Sequence, residues 1–171
     1  MYTLAPDEKK SLVMIYTHNL FVRGELITRE NVRVGIWLRT QGVPQYLHLC
    51  NAQVLAFGGS PVKPVSYAEL FFPTEQIIGF HVAPPAFEPL DYEPDEANRT
   101  MVEINLMIGT FLARGRIRIS TQADLSTAIE IARTAWMSVY DADISNPFLP
   151  QMPVMHIPML LVSPQHVSFG R

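Results

Sequence analysis

The chain contains a single cysteine, Cys50, so no internal disulfide can form and a disulfide-stapled scaffold is excluded. That scarcity points to a reducing, cytoplasmic setting. Charge is also thin: 17% of the 171 residues are Asp, Glu, Lys or Arg, against roughly 25% in an average globular domain. A surface so poor in charge implies that part of it is apolar and buried against a partner. The charge present is slightly acidic, with 13 basic and 16 acidic side chains for a net −3. Nucleic-acid affinity rests on cationic contacts to phosphates, so this balance argues against a default nucleic-acid binder. Long hydrophobic runs are missing too. No stretch reaches the ~18 apolar residues of a membrane helix, and the longest, Met152 to Val162, is broken by Pro153 and Pro158. Near the N-terminus, Leu12 to Tyr16 is too short for a signal core and has no small-residue cleavage site. A soluble protein without a membrane partner is expected.

Hydrophobic residues nevertheless make up 48% of the chain, enough for a core, and a disordered polymer is excluded. Fourteen prolines and nine glycines predict many turns. Four of those prolines and five carboxylates crowd residues 83–100, which forbids a helix or a central strand there. This segment is read as a linker, a solvated tether between a first unit, 1–82, and a second, 101–171.

The two halves share three short blocks in the same order. Val22-Arg23-Gly24-Glu25-Leu26 matches Ala113-Arg114-Gly115-Arg116-Ile117. Leu47-His48-Leu49 with Ala52 to Phe57 parallels Ile129-Glu130-Ile131 with Ala135 to Tyr140. Leu70 to Phe80 parallels Met159 to Phe169. Ordered repetition of this kind predicts internal duplication. Each copy reads as strands, with alternation in Phe111, Ala113, Gly115, Ile117 and Ile119, and again in Ile129, Ile131, Ala135, Met137 and Val139. Helix is confined to Thr121 to Ala128, with Asp124 in its first turn. The fold class predicted is all-β with minor helix. A small meander leaves strand edges exposed, and closure or pairing between copies would cover them.

The pattern of each copy resembles the Sm-like fold, a five-stranded, strongly bent small barrel. The resemblance places Gly24 and Gly115 at the bend of an early strand and makes residues 70–80 and 159–169 the closing pair of strands. It implies two tandem Sm-like barrels in pseudo-two-fold arrangement, as in tandem Sm-like bacterial proteins of unknown function, which the chain is most similar to. Sm-like RNA binders carry an acidic residue and an asparagine between the second and third strands, and an arginine with glycine in the closing turn. Here the closing turns read Pro73-Thr74-Glu75-Gln76 and Ser163-Pro164-Gln165, and Thr134 stands opposite Asn51. RNA binding therefore does not carry over with the fold.

Catalytic chemistry finds no motif. His18, His48, His81, His156 and His166 show no i,i+4 pair, and His48 with Cys50 would need two further ligands to hold a metal. There is no G-x-S-x-G turn. Gly58-Gly59-Ser60-Pro61-Val62-Lys63 lacks phosphate-loop spacing and reads as a hairpin loop. Asp141 and Asp143 read as solvated turn carboxylates. No cofactor and no metal are predicted.

Two surfaces remain. Arg114, Arg116 and Arg118 share one strand face as a ladder, a candidate anion or RNA surface. The plainer reading is a solvated outer face neutralised by the acidic segment Glu88 to Glu96. The stretch Asn146 to Met159 sets Phe148, Leu149, Met152 and Met155 among four prolines. Methionines adapt to irregular apolar surfaces, so this loop is read as a seam between the copies or a docking surface for another protein. Trp37 and Trp136 are assigned to the core or the seam. The reading reached is a non-enzymatic binding or assembly module that self-associates or binds another protein, with an RNA- or anion-binding regulator as the alternative.

Overall fold

Alternating apolar and polar side chains put most of the chain into extended backbone, as a period of two requires. The computed structural model describes residues 2–59, 61–132 and 136–171. Among these residues lie ten strands: β1 (Glu8–Tyr16), β2 (Leu20–Arg29), β3 (Tyr46–Ala56), β4 (Pro64–Pro73), β5 (Gly79–Val82), β6 (Arg99–Ile108), β7 (Phe111–Ser120), β8 (Met137–Ser145), β9 (Met155–Val162) and β10 (Ser168–Gly170). Helix is limited to α1 (Leu125–Ala132) and two 3₁₀ turns, Val34–Arg39 and Thr74–Gln76. The chain is all-β, as its patterning predicts.

The strands form one antiparallel sheet in the order β10-β6-β7-β8-β9-β5-β1-β2-β3-β4. Two separate closed barrels were expected, and the sheet is instead continuous and open. The reason lies in β5. One edge pairs with β1, from Val13↔Val82 to Tyr16↔Gly79, and the other with β9, through Gly79↔Val162 and Phe80↔Leu161. A strand whose second edge is taken by the other half has none left to close its own barrel. Nor is this join two-fold. A two-fold would repeat the β5–β9 join as a β10–β4 join, and β10 and β4 instead lie at opposite ends of the sheet.

The order β5-β1-β2-β3-β4 recurs as β10-β6-β7-β8-β9. The register also slips at the same place in each half, between Arg23 and Glu25 on β2 and between Arg114 and Arg116 on β7. There Gly24 and Gly115 each face two residues of the next strand, a bulge that bends the sheet. The extra residues are Asn51 (φ 49) and Asp141 (φ 48), left-handed positions that Asn and Asp tolerate better than most. Asn51 therefore corresponds to Asp141, and not to Thr134, which with Ala135 falls outside the described residues. A Cβ on Gly115 would lie 2.7 Å from Val139 Cγ1 and 3.0 Å from the Tyr140 carbonyl oxygen. Gly115→Ala is expected to cost about 1–3 kcal/mol by overpacking. Urea unfolding checks this, and an unchanged midpoint would show that the bend does not need glycine.

The pairing of the fourth strands moves the apparent repeat by one residue. Cys50 pairs with Glu69 and Tyr140 with Met159, so Leu70 corresponds to Leu160 rather than to Met159. The second half has a one-residue-shorter closing turn, which restores Phe80 opposite Phe169. The stretch around Ile129 and Ile131 was read as a strand and is helix. Asp124 caps it, its Oδ1 accepting from the Thr127 N–H at 2.7 Å. Leu125 and Ala128, three residues apart, pack on the core, while Ile131 faces solvent. The helix thus starts four residues later than its composition suggests.

Two buried clusters meet across the join. Val13, Ile15, Leu26, Leu47, Leu49 and Phe80 fill the first and take in Leu161 from β9. Ile104, Ile117, Ile144 and Leu160 anchor the second, which takes in Tyr16, Phe21 and Ile78 from the first half. Each half thus completes the other's core.

Candidate binding surfaces

Residues 83–98 run without helix or strand between β5 and β6, and their prolines explain why. They are not a free tether. The Glu88 carboxylate accepts from the backbone N–H groups of Val34 (2.9 Å) and Gly35 (2.7 Å), at the start of the first 3₁₀ turn. Asp91 reaches both halves, accepting from Arg39 of the first and from Ser138 Oγ (2.8 Å) and Tyr140 OH (2.6 Å) on β8. Only 6% of its side chain is exposed. Burial pushes the Asp91 carboxyl upward, but the Tyr140 and Ser138 hydrogen bonds and the Arg39 charge outweigh it and hold the group below the ordinary range. Glu96 ends the strap by pairing with Arg118 and with Arg99 (3.5 Å).

The same strap decides what the arginine ladder offers. Arg114, Arg116 and Arg118 do share the outer face of β7, alternating with buried Ala113, Gly115 and Ile117. Each meets a carboxylate: Arg114 with Glu103 (3.0 Å), Arg116 with Asp141, and Arg118 with Glu96. Arg118 also donates to the Glu93 carbonyl at 2.9 Å, and its guanidinium lies 4.8 Å from the Tyr92 ring centre. The cationic face is thus internally compensated. Between α1 and the sheet is a cavity of ≈ 260 Å³ whose walls include Arg39, Arg99, Arg118, Ile117 and Trp136. Arg39 and Arg99 were not singled out by sequence, because only folding sets them beside Arg118.

The stretch from Asn146 divides. Asn146 is buried, donating through Nδ2 to Thr110 Oγ1 (3.1 Å) and accepting from the Phe148 N–H (2.8 Å). Met152 packs against the second core cluster. Leu149 is half-buried, and Phe148 is exposed. Met155 begins β9 and packs against the same cluster, so the last third of this stretch is strand. Pro158 is tolerated inside β9 because it lies opposite the Asp141 bulge, where the ladder is already interrupted. The join between halves is made elsewhere, by β5 with the end of β9. Trp37 and Trp136 both pack against the first core cluster.

No cluster of three or more metal-ligating side chains occurs among the described residues. His48 stacks on Phe71 at 4.7 Å and meets Glu69 at 3.2 Å, while Cys50 is buried. Asp143 faces His156 at 2.9 Å. His81 on β5 is fully buried, with Nδ1 2.8 Å from the Val82 carbonyl and Nε2 2.9 Å from Tyr16 OH. A carbonyl only accepts, so Nδ1 carries the proton and Nε2 accepts from the tyrosine. Burial pushes this imidazole down to about 4.

Both ends of the sheet carry accessible apolar side chains. On β4, Val65, Tyr67 and Phe71 are exposed, Phe71 by 59%. Beside β10 runs a groove of ≈ 580 Å³ with Leu106, Met107, Leu112, Val154 and Phe169 in its walls. β4, ten residues long and carrying its exposed apolar side chains, is an edge of the kind that recruits other strands, whereas β10 has three residues. No known protein family matches the chain, and no curated protein or solved structure shows significant similarity to it. Among the described residues, no helix is long and apolar enough to cross a membrane.

Proposed function

We propose that the chain is a non-enzymatic assembly module, two tandem Sm-like units related by internal duplication, which joins proteins edge to edge through its sheet. One observation carries this reading: the halves are themselves joined by strand addition, β9 onto β5, and the matching edges at the two ends, β4 and β10, are left uncovered. The duplication is supported by the repeated strand order and by paired bulges at Gly24 and Gly115. Exposed Phe148 offers a further apolar contact for a protein partner. Binding of RNA or another anion through Arg114, Arg116 and Arg118 is disfavoured, because every guanidinium of that ladder already has a carboxylate.

Sedimentation velocity in high salt tests the reading. Apolar edge pairing survives salt, and Tyr67→Lys with Phe71→Lys on β4 is expected to abolish it by placing charge on the edge. The overturning result is retention of RNA on filters that falls steeply between about 50 and 200 mM salt and vanishes in Arg116→Glu.

A further inference from the structure

We infer that the partner of these edges is a second copy of this chain, added head-to-tail, with β10 of one chain pairing antiparallel to β4 of the next in the register of the internal β5–β9 join. This rests on the assembly reading above and adds to it the partner, the polarity and the register.

The internal join supplies the template. The bulges align the halves residue by residue: two and three positions beyond the pairs Cys50↔Glu69 and Tyr140↔Met159, Phe71 corresponds to Leu161 and Phe72 to Val162. The fifth strands align through their own partners. Phe80 pairs with Ile15 and Phe169 with Leu106, and Ile15 and Leu106 lie equally far from the glycine bends at Gly24 and Gly115. Phe80 therefore corresponds to Phe169, and Gly79 to Ser168. Transferring Gly79↔Val162 and Phe80↔Leu161 sets Ser168 opposite Phe72 of the neighbour, and Phe169 opposite its Phe71.

Burial agrees with this transfer. In the internal join Leu161 and Phe80 lie side by side at 0% exposure in one cluster. At the free ends the corresponding Phe71 is 59% exposed, and Phe169 lines an open apolar groove. Two vacant halves of one contact are thus carried at opposite ends of one molecule. A sheet continued this way stays antiparallel throughout and covers Phe71 of one copy with Phe169 of the next. Because the edges are unlike, each added copy exposes a new one until a ring closes.

Cysteine trapping in a Cys50→Ala background tests the register. Two chains are prepared, one with Phe71→Cys and one with Phe169→Cys, and circular dichroism checks that each is folded. Directly opposed strand residues lie within disulfide reach. Oxidation of the mixture is expected to give a mixed disulfide dimer, while neither chain alone gives one and Val65→Cys mixed with Phe169→Cys gives none. Dimers of the Phe71→Cys chain by itself would mean that two β4 edges meet, which overturns the head-to-tail polarity and leaves the assembly reading intact. Association in sedimentation without the mixed disulfide would likewise overturn the register alone. A protein that stays monomeric at every concentration would overturn both.

Discussion

Replacing Asp91 by alanine is expected to lower the unfolding free energy by about 3 kcal/mol, near the lower bound for breaking a buried ion pair because Arg39 is partly solvated. The carboxylate is the point where the strap meets both halves at once, through Arg39, Ser138 and Tyr140. Removing it takes the acceptor from the nearly buried Ser138 and Tyr140 hydroxyls and leaves Arg39 its 2.6 Å bond to Ser138 Oγ. Glu93→Ala is the matched control. Glu93 is exposed, and its backbone carbonyl rather than its side chain receives Arg118, so a change within about 0.5 kcal/mol is expected. Urea unfolding of both variants measures the difference. A loss below about 1 kcal/mol for Asp91→Ala would mean that the strap is held by Glu88 and Glu96 instead. The acid dependence has a definite sign. The Asp91 carboxyl titrates below its ordinary value in the folded protein, so its contribution is present above about pH 4 and is lost as pH falls through the depressed value. Wild type and variant should converge in strong acid.

A second loss of stability is expected at milder acidity, from His81. Its imidazole is pushed down to about 4 by burial, while in the unfolded chain it titrates near 6.5. The unfolded state therefore binds a proton first as pH falls. Stability is full above about pH 6.5 and drops by about 3 kcal/mol by about pH 4, at 1.36 kcal/mol per unit. His81→Gln keeps a polar side chain at the seam but cannot titrate, and it should flatten the curve in that window. Unfolding midpoints at a series of pH values decide the matter. A wild-type curve that is level from pH 6.5 to 4 would show that the ring is not held neutral among Tyr16, Val82 and the core. The windows of His81 and Asp91 barely overlap, so the two groups can be read separately in one titration.

Much of the molecule is local and was legible as such. Alternation in Phe111, Ala113, Gly115, Ile117 and Ile119 is a strand with one face inside, and β7 has that burial pattern. Proline and carboxylate content keeps residues 83–98 out of helix and strand, while Arg99 and Thr100, the last two of the expected linker 83–100, open β6. The bends at Gly24 and Gly115 are what the Sm-like resemblance implies rather than what local pattern shows, and the register slips at both. The failures were of another kind. Ile129 and Ile131 satisfy a period of two, but the Asp124 cap and the core contacts of Leu125 and Ala128 select a helix. The expected repeat is offset by seven residues in its second block, where Asn51 corresponds to Asp141 rather than Thr134, and by one in its third, where Leu70 corresponds to Leu160 rather than Met159, because register is not written in local pattern.

What the sequence determined alone is therefore the strand content and the irregular segment between the halves, since side-chain period and backbone preference act over a few residues. Tertiary structure decided which edges meet, which arginines are neutralised and where the strap docks. Strand edges pair through backbone N–H and C=O groups that every residue carries, so no side chain announces that β9 will lie beside β5. Arg118 looks the same in sequence whether or not Glu96 closes over it, because that ion pair spans 22 residues and exists only once the fold has brought its ends together.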